Sequence, residues 1–308
     1  MVQTKPGKVS FYKINSSKID KVEKFISKLD EVYNSFKNKK YNEIPTLEIN
    51  DDKYYIQSMQ KRVLEEKFNN EYLYYWLITI SRVDLESNIT VADLRKNINE
   101  RRRELEHDSN EGLVVDTRIL VEPYGKILAV HNKRGTIGLT DLRRFICKLI
   151  DTNGIRLDII LNEEGYEGVK NLDVASKIEY TIASPNNFKA FKDDTRSELY
   201  DLNVANSLGG DDMKVSISSK HLKKEKLFDK IRAIFFAGEN EVEVKNFKIE
   251  GYVDGDFQVI DMIKNKLIYR GDIEYDEKIG IDDRAVFGLL NKAYDYYSDF
   301  LARFRVAE

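Results

Sequence analysis

The stretch from Val242 to Phe304 constrains the fold most, because its hydrophobic period changes once, with turn residues on either side of the strands. Val242 and Val244, then Phe247 and Ile249, follow the period of two of a half-buried strand, with a phase slip near Asn246. Asp254-Gly255 supplies the two positive-φ residues that a type I′ hairpin turn requires. Leu267, Tyr269, Ile273 and Tyr275 continue as strand, with a bulge or bend expected at Gly271. From Arg284 the period turns helical, and Val286, Leu289, Leu290, Ala293, Tyr297, Phe300, Leu301 and Phe304 fall on one face. This stretch therefore predicts a small sheet packed by a long terminal helix.

The rest of the chain repeats the same grammar. Val9–Ile14 reads as a short strand, and apolar residues from Ile19 to Phe36 keep helical spacing, which predicts a helix over 18–37. Thr46–Asn50 and Lys53–Gln60 flank Asp51-Asp52 as a hairpin, and Glu71–Val83 is so aromatic that it should be central in its sheet or covered on both faces. Thr90 with Asp93 resembles a capping pair, which predicts a helix from Val91 to Leu105. Leu113–Val121 and Lys126–Asn132 are strands. A basic, glycine-spaced loop at 133–138 then leads to a helix capped by Thr140. Asp151-Thr152-Asn153-Gly154 is the best domain boundary, a turn cluster at a helix C-terminus. Beyond it, Leu157–Leu161, Ile178–Ala183 and Met213–Ser218 read as strands, with helices within 188–200 and over 223–236. The fold class expected is α+β, with two domains, 1–153 and 154–308, each a mainly antiparallel sheet packed by helices, the second ending in the long helix.

Composition sets the class. With 308 residues, 42% hydrophobic and 11% aromatic, the chain can bury two ordinary cores. Its charged fraction is 33%, yet the net charge is only −3 and the pI about 5.9, which argues against a surface that coats nucleic acid throughout and leaves local basic patches open. Cys147 is the single cysteine, so no intramolecular disulfide forms and a reducing cytoplasm is expected. The N-terminus lacks a signal-peptide core, and no apolar run approaches the ~20 residues that span a bilayer.

Catalytic motifs are absent from the sequence. His107, His131 and His221 are scattered without ligand spacing, and no Walker, dinucleotide or nucleophile-elbow motif occurs. Glu243-Val244-Lys245, with Asp229 or Asp212, is the kind of Glu-x-Lys that can hold Mg²⁺, but two strand residues that simply face water have the same spacing. The chain is expected to be no enzyme and to need no cofactor or metal. Cations cluster more informatively: Arg101, Arg102 and Arg103 at the end of one expected helix, Lys133 and Arg134 on a loop, Arg143 and Arg144 on the next helix. Lys220, His221, Lys223, Lys224 and Lys226 stand at the start of another, where cations oppose the helix dipole. Such clusters neutralise phosphates in sequence-independent nucleic-acid binding. In a chain with 50 Lys and Arg they also occur as plain solvated surface, and charge alone leaves both readings open.

The order of segments resembles the RexA-like family of phage exclusion proteins and, distantly, KwaB-type defence proteins. The likeness lies in the opening Val-Ser-Phe-Tyr-Lys-Ile strand and in the block from Glu111 to Ile150 with its Gly-Thr-Ile-Gly and Asp-Leu-x-x-Phe-Ile strings. It continues in Gly251-Tyr-Val-Asp-Gly-Asp-Phe and the Ala-Tyr-Asp-Tyr-Tyr-Ser-Asp-Phe-Leu helix. It spans nearly the whole chain and departs most between Tyr41 and Arg103. The resemblance implies a cytoplasmic, non-enzymatic homodimer that binds DNA with little sequence preference in phage exclusion or phage–host conflict, beside a phage or host protein partner. The contacts expected are Arg101, Arg102, Arg103, Lys133, Arg134, Arg143 and Arg144, with Lys220, Lys223 and Lys224 as a second site. The alternative is a phage-encoded inhibitor that grips a host defence enzyme, for which the 18 tyrosines supply interface material.

Overall fold

Tyr75 and Trp76 are both fully buried, although neighbouring side chains on a strand point to opposite faces. The strand that holds them must be covered on both sides, and the fold is built around it. The structure is a computed structural model and describes residues 2–16, 19–85, 90–93, 95, 97, 98, 100, 102–104, 108, 111–183, 212–223, 243–262 and 264–305. The first elements are β1 (Val2–Ser16), α1 (Ile19–Lys37), β2 (Thr46–Ile49), β3 (Asp52–Phe68), β4 (Glu71–Asp84), β5 (Thr90–Ala92), β6 (Arg102–Glu104), β7 (Leu113–Glu122), β8 (Ile127–His131), α2 (Leu139–Leu149) and β9 (Ile155–Ile159). They are followed by α3 (Glu163–Asn171), β10 (Val174–Ala183), β11 (Asp212–Leu222), β12 (Glu243–Val253), β13 (Asp256–Asp261), β14 (Ile268–Asp276), α4 (Asp283–Tyr296) and α5 (Ser298–Ala302). The fold class is α+β with mainly antiparallel sheets, as expected.

Two compact units form. The first is Met1–Leu157 with Tyr269–Glu308, and the second is Asp158–Ile268. The chain thus leaves the first unit close to the turn cluster expected as a boundary. Its last strand and helices return to the first unit, whereas a simple division into 1–153 and 154–308 assigns them to the second.

In the first unit an eight-stranded sheet runs β14-β1-β8-β7-β4-β3-β2, with β9 also on β1. The helix α1 packs on one face through Val22, Phe25, Leu29 and Val32, and α2 joins it through Leu142, Phe145, Ile146 and Leu149. Their counterparts on the sheet are Trp76, Ile78, Ile80, Ile119, Val121 and Leu128. The opposite face, with Tyr75, Leu77, Leu120 and Phe11, is closed by α4, which buries Val286, Phe287, Leu289, Leu290, Ala293 and Tyr294. Tyr75 and Tyr294 meet with ring centroids 4.7 Å apart, and the Tyr75 hydroxyl donates to Asn291 at 2.8 Å. The terminal helix therefore packs on the large sheet and not on the small sheet that precedes it in sequence. It also breaks at Tyr297 before α5. The tail is clamped where Arg305 donates to the buried Glu122 at 3.3 Å and to the Tyr294 hydroxyl at 2.8 Å.

The second unit is a four-stranded sheet, β11-β10-β12-β13, with α3 on one face over Ile178, Tyr180, Phe247, Ile249, Ile260 and Met262. The phase slip near Asn246 is real: Thr181 pairs with Asn246 and Ile182 with Val244, so Lys245 is the extra residue of a bulge. Asp254 and Gly255 sit at φ 51° and 84°, as the expected type I′ turn needs. Gly271 marks no break, since β14 runs continuously through it. The Tyr269 ring lies where a side chain at Gly271 would stand, which is why glycine is there. The helix that α2 forms starts at Gly138, without a side-chain cap from Thr140. The helices expected within 188–200 and, apart from Lys223, over 223–236 lie outside the described residues. Among the described residues no helix is long and apolar enough to cross a membrane.

Candidate nucleic-acid interface

The segment read as a helix from Val91 to Leu105 is instead a two-stranded ribbon where it is described. Thr90 pairs with Glu104, Val91 with Arg103 and Ala92 with Arg102. Apolar residues at helical spacing do not decide the matter, since Ile98 is 78% exposed. Nor does the capping pair form, because the Asp93 carboxylate accepts from the backbone N–H and the guanidinium of Arg95 at 3.1 and 2.9 Å. Arg102 and Arg103 are both exposed and, as strand neighbours, project to opposite sides of the ribbon. Neither forms an ion pair among the described residues. The ribbon springs from the end of the large sheet where Asp84 of β4 faces Leu113 of β7.

A second basic projection leaves the same sheet end. Because β8 runs antiparallel to β7, with Ile119 opposite Val130, the chain emerges from β8 toward the start of β7. There Lys133 and Arg134 stand exposed on a turn closed by Thr136, whose backbone N–H donates to the Lys133 carbonyl at 3.2 Å and whose hydroxyl donates to it at 2.7 Å. Gly135, at φ 84°, makes the turn possible. Buried Ile137 anchors the base, its N–H donating to the Thr117 hydroxyl at 2.8 Å.

Beneath these projections, a polar cluster lies between the sheet and the start of α4. The Arg118 guanidinium donates to Asp283 at 2.9 Å and to Asp116 at 3.0 Å, Ser58 donates to Asp283 at 2.7 Å, and Ser81 to Asp116 at 2.7 Å. Burial works against the Asp283 carboxylate, but the Ser58 and Arg118 hydrogen bonds and the Arg118 charge outweigh it and hold its pKa below the usual range. His131 is buried nearby, and desolvation, with Arg118 and Lys133 adding to it, lowers its pKa to about 4. Two carboxylates share the one Arg118 guanidinium, and the bond to Asp283 ties α4 to the sheet. Sequence reasoning passed over it, although Asp116-Thr117-Arg118 inside an apolar run was the available signal.

The other expected contacts fall elsewhere. Arg144 is paired with Asp141 at 3.1 Å, and Arg143 is half-buried, with desolvation lowering its pKa. Neither extends the exposed basic surface, because α2 carries them along its packed flank. In the second unit Lys220 and His221 belong to strand β11 and not to the start of a helix, with Lys223 just beyond it. Arg101, Lys224 and Asp229 lie outside the described residues. The Glu243 and Lys245 side chains also fall outside them, and among the described residues no group of three or more His, Cys, Asp or Glu gathers as a metal site.

No curated protein matches the chain. The sequence model of a family of unknown function, DUF6731, matches residues 2–301, and the chain belongs to that family.

Proposed function

We propose that the chain is a DNA-binding protein that grips the duplex backbone without strong sequence preference, in the cytoplasm and without catalysis or cofactor. Its setting would be phage exclusion or phage–host conflict, as in the RexA-like proteins it resembles. The observation that carries this reading is the pair of basic projections, Arg102-Arg103 and Lys133-Arg134, leaving one end of one rigid sheet without acidic partners among the described residues. A two-stranded ribbon is a shape that the major groove admits, and side chains on its two sides reach phosphates on both walls. Contacts of this kind orient the protein on DNA without reading bases. Glu104, next to Arg103 and exposed, tempers the local field and keeps the binding weak.

The test is fluorescence anisotropy of a labelled random-sequence duplex at low salt. The paired substitutions Arg102→Ala with Arg103→Ala, and Lys133→Ala with Arg134→Ala, should each weaken binding about tenfold or more, while Arg144→Ala leaves it unchanged. Absence of binding at low salt, or binding indifferent to both pairs, overturns the reading. A protein-inhibitor function has one observation behind it: Tyr252 and Phe257 form an exposed T-shaped pair at 5.6 Å beside exposed Val259. Stoichiometric capture of a host defence enzyme, with no DNA binding, would favour it.

A further inference from the structure

The strand β14 ends the large sheet, pairing with β1 on one side and with no described strand on the other. Ile273 of β14 is buried and stands with Leu289 of α4 over Gly7, whereas Asp272, Glu274 and Asp276 are exposed. Beside the strand, a groove of about 280 Å³ lies between β14 and the flank of α4. Small-molecule pockets span about 300–1,000 Å³, so this groove suits a few side chains of a segment laid along the strand. Its helix wall is low, because Ala285 and Gly288 line it and a Cβ at Gly288 meets nothing within 4 Å. Four carboxylates line the groove, Asp272, Glu274, Asp276 and Asp282, against the two cations Arg284 and Lys292. Lys292 is already bound to Glu274 at 2.6 Å. Asp276 and Asp282 accept backbone N–H groups, from Lys278 at 2.8 Å and from Ala285 at 2.9 Å. The edge is therefore acidic at a period of two, with a groove open beside it.

We infer that β14 and this groove are a docking site for an extended basic segment of a partner protein, which adds to the large sheet as one more strand. The edge of β14 supplies main-chain hydrogen bonds, and the groove takes alternate side chains. Charge selects the occupant. Lysine or arginine at every second position of the incoming strand stands opposite Asp272, Glu274 and Asp276, and opposite charges across a ladder are favourable. A second copy of this chain does not fit. Pairing β14 antiparallel with itself about Glu274 sets Asp272 against Asp276 twice and the two glutamates against each other, and like charges so placed are destabilising. A nucleic-acid backbone is repelled by the same carboxylates. One strand seated on one edge is a small interface, so binding is weak and falls with salt. The inference stands on the edge, the groove and its charge, and does not depend on DNA binding.

Fluorescence anisotropy on the full chain tests this with a labelled peptide that alternates lysine and valine. A peptide that alternates glutamate and valine is the control for charge, and the lysine peptide with every backbone nitrogen methylated is the control for strand addition. The native chain should bind the lysine peptide at low salt and leave the glutamate peptide free. Methylation keeps the charge but removes the main-chain donors, and should weaken binding by about tenfold or more. Asp272→Lys with Asp276→Lys should reverse the preference, so that the lysine peptide is lost and the glutamate peptide binds. Gly288→Gln fills the groove from α4 with a better helix former. It should weaken the lysine peptide while the thermal midpoint holds or rises. No binding of the lysine peptide at low salt, equal binding of its methylated form, or indifference to either variant would each overturn the inference.

Discussion

His131 sits on β8 at 4% exposure, with Arg118 and Lys133 as its charged neighbours, and its pKa falls from 6.5 to about 4. The unfolded chain takes up a proton at this histidine near 6.5, while the folded chain resists until about 4. Between those values the unfolded state binds more protons, so stability falls as the pH falls through the window. The loss amounts to on the order of 3 kcal/mol once the lower value is passed. Asp283 acts in a separate, more acidic window: its depressed pKa contributes stability that is lost only as the pH drops below the ordinary carboxylate value of 3.8. Urea unfolding at pH 7, 6, 5 and 4.5 should therefore show a decline that His131→Gln largely removes. An identical decline in both proteins would contradict this account. At this scale the sequence was legible where the pattern was local, as with the apolar alternation of β4. It was opaque for the Arg118–Asp283 pair, whose partners are 165 residues apart in the chain.

Elements whose signal is held by their own residues were read well. Asp254-Gly255 demanded a turn because few residues other than glycine and asparagine or aspartate accept positive φ, and the turn is there. Gly255→Ala places a Cβ at φ 84°, which should cost about 1–2 kcal/mol. Thermal unfolding of the variant should reveal that loss, and an unchanged midpoint would argue against a type I′ turn. The ribbon of β5 and β6 was misread because Thr90 and Asp93 imitate a helix cap, while the pairing of Val91 with Arg103 that decides the backbone joins residues 12 apart in the chain. Arg102 and Arg103 survived that error as candidate contacts, since exposure and charge do not depend on which backbone carries them. Arg143 and Arg144 did not, because the sequence does not say which flank of α2 meets its neighbours.

At the scale of the whole molecule, the second unit is an insertion between Leu157 and Tyr269 of the first. Periodicity showed that α4 has an apolar face but carries no information on which sheet receives it. Burying five large side chains of α4 contributes roughly 10 kcal/mol, comparable to the whole stability of an ordinary domain. A chain ending at Ile268 should therefore lose the first unit to aggregation, while residues 158–268 expressed alone should unfold cooperatively by circular dichroism. A soluble, cooperatively folded 1–268 chain would contradict the division.

The central claim is that DNA phosphates are neutralised by Arg102, Arg103, Lys133 and Arg134. It is tested most directly by the slope of log binding constant against log salt for a random duplex, measured for the native chain and for the chain with all four residues changed to alanine. Each phosphate contact contributes about −0.9 to that slope. The account predicts a steep negative slope for the native chain, flattened by several contacts' worth in the variant. Equal slopes for the two proteins would contradict it.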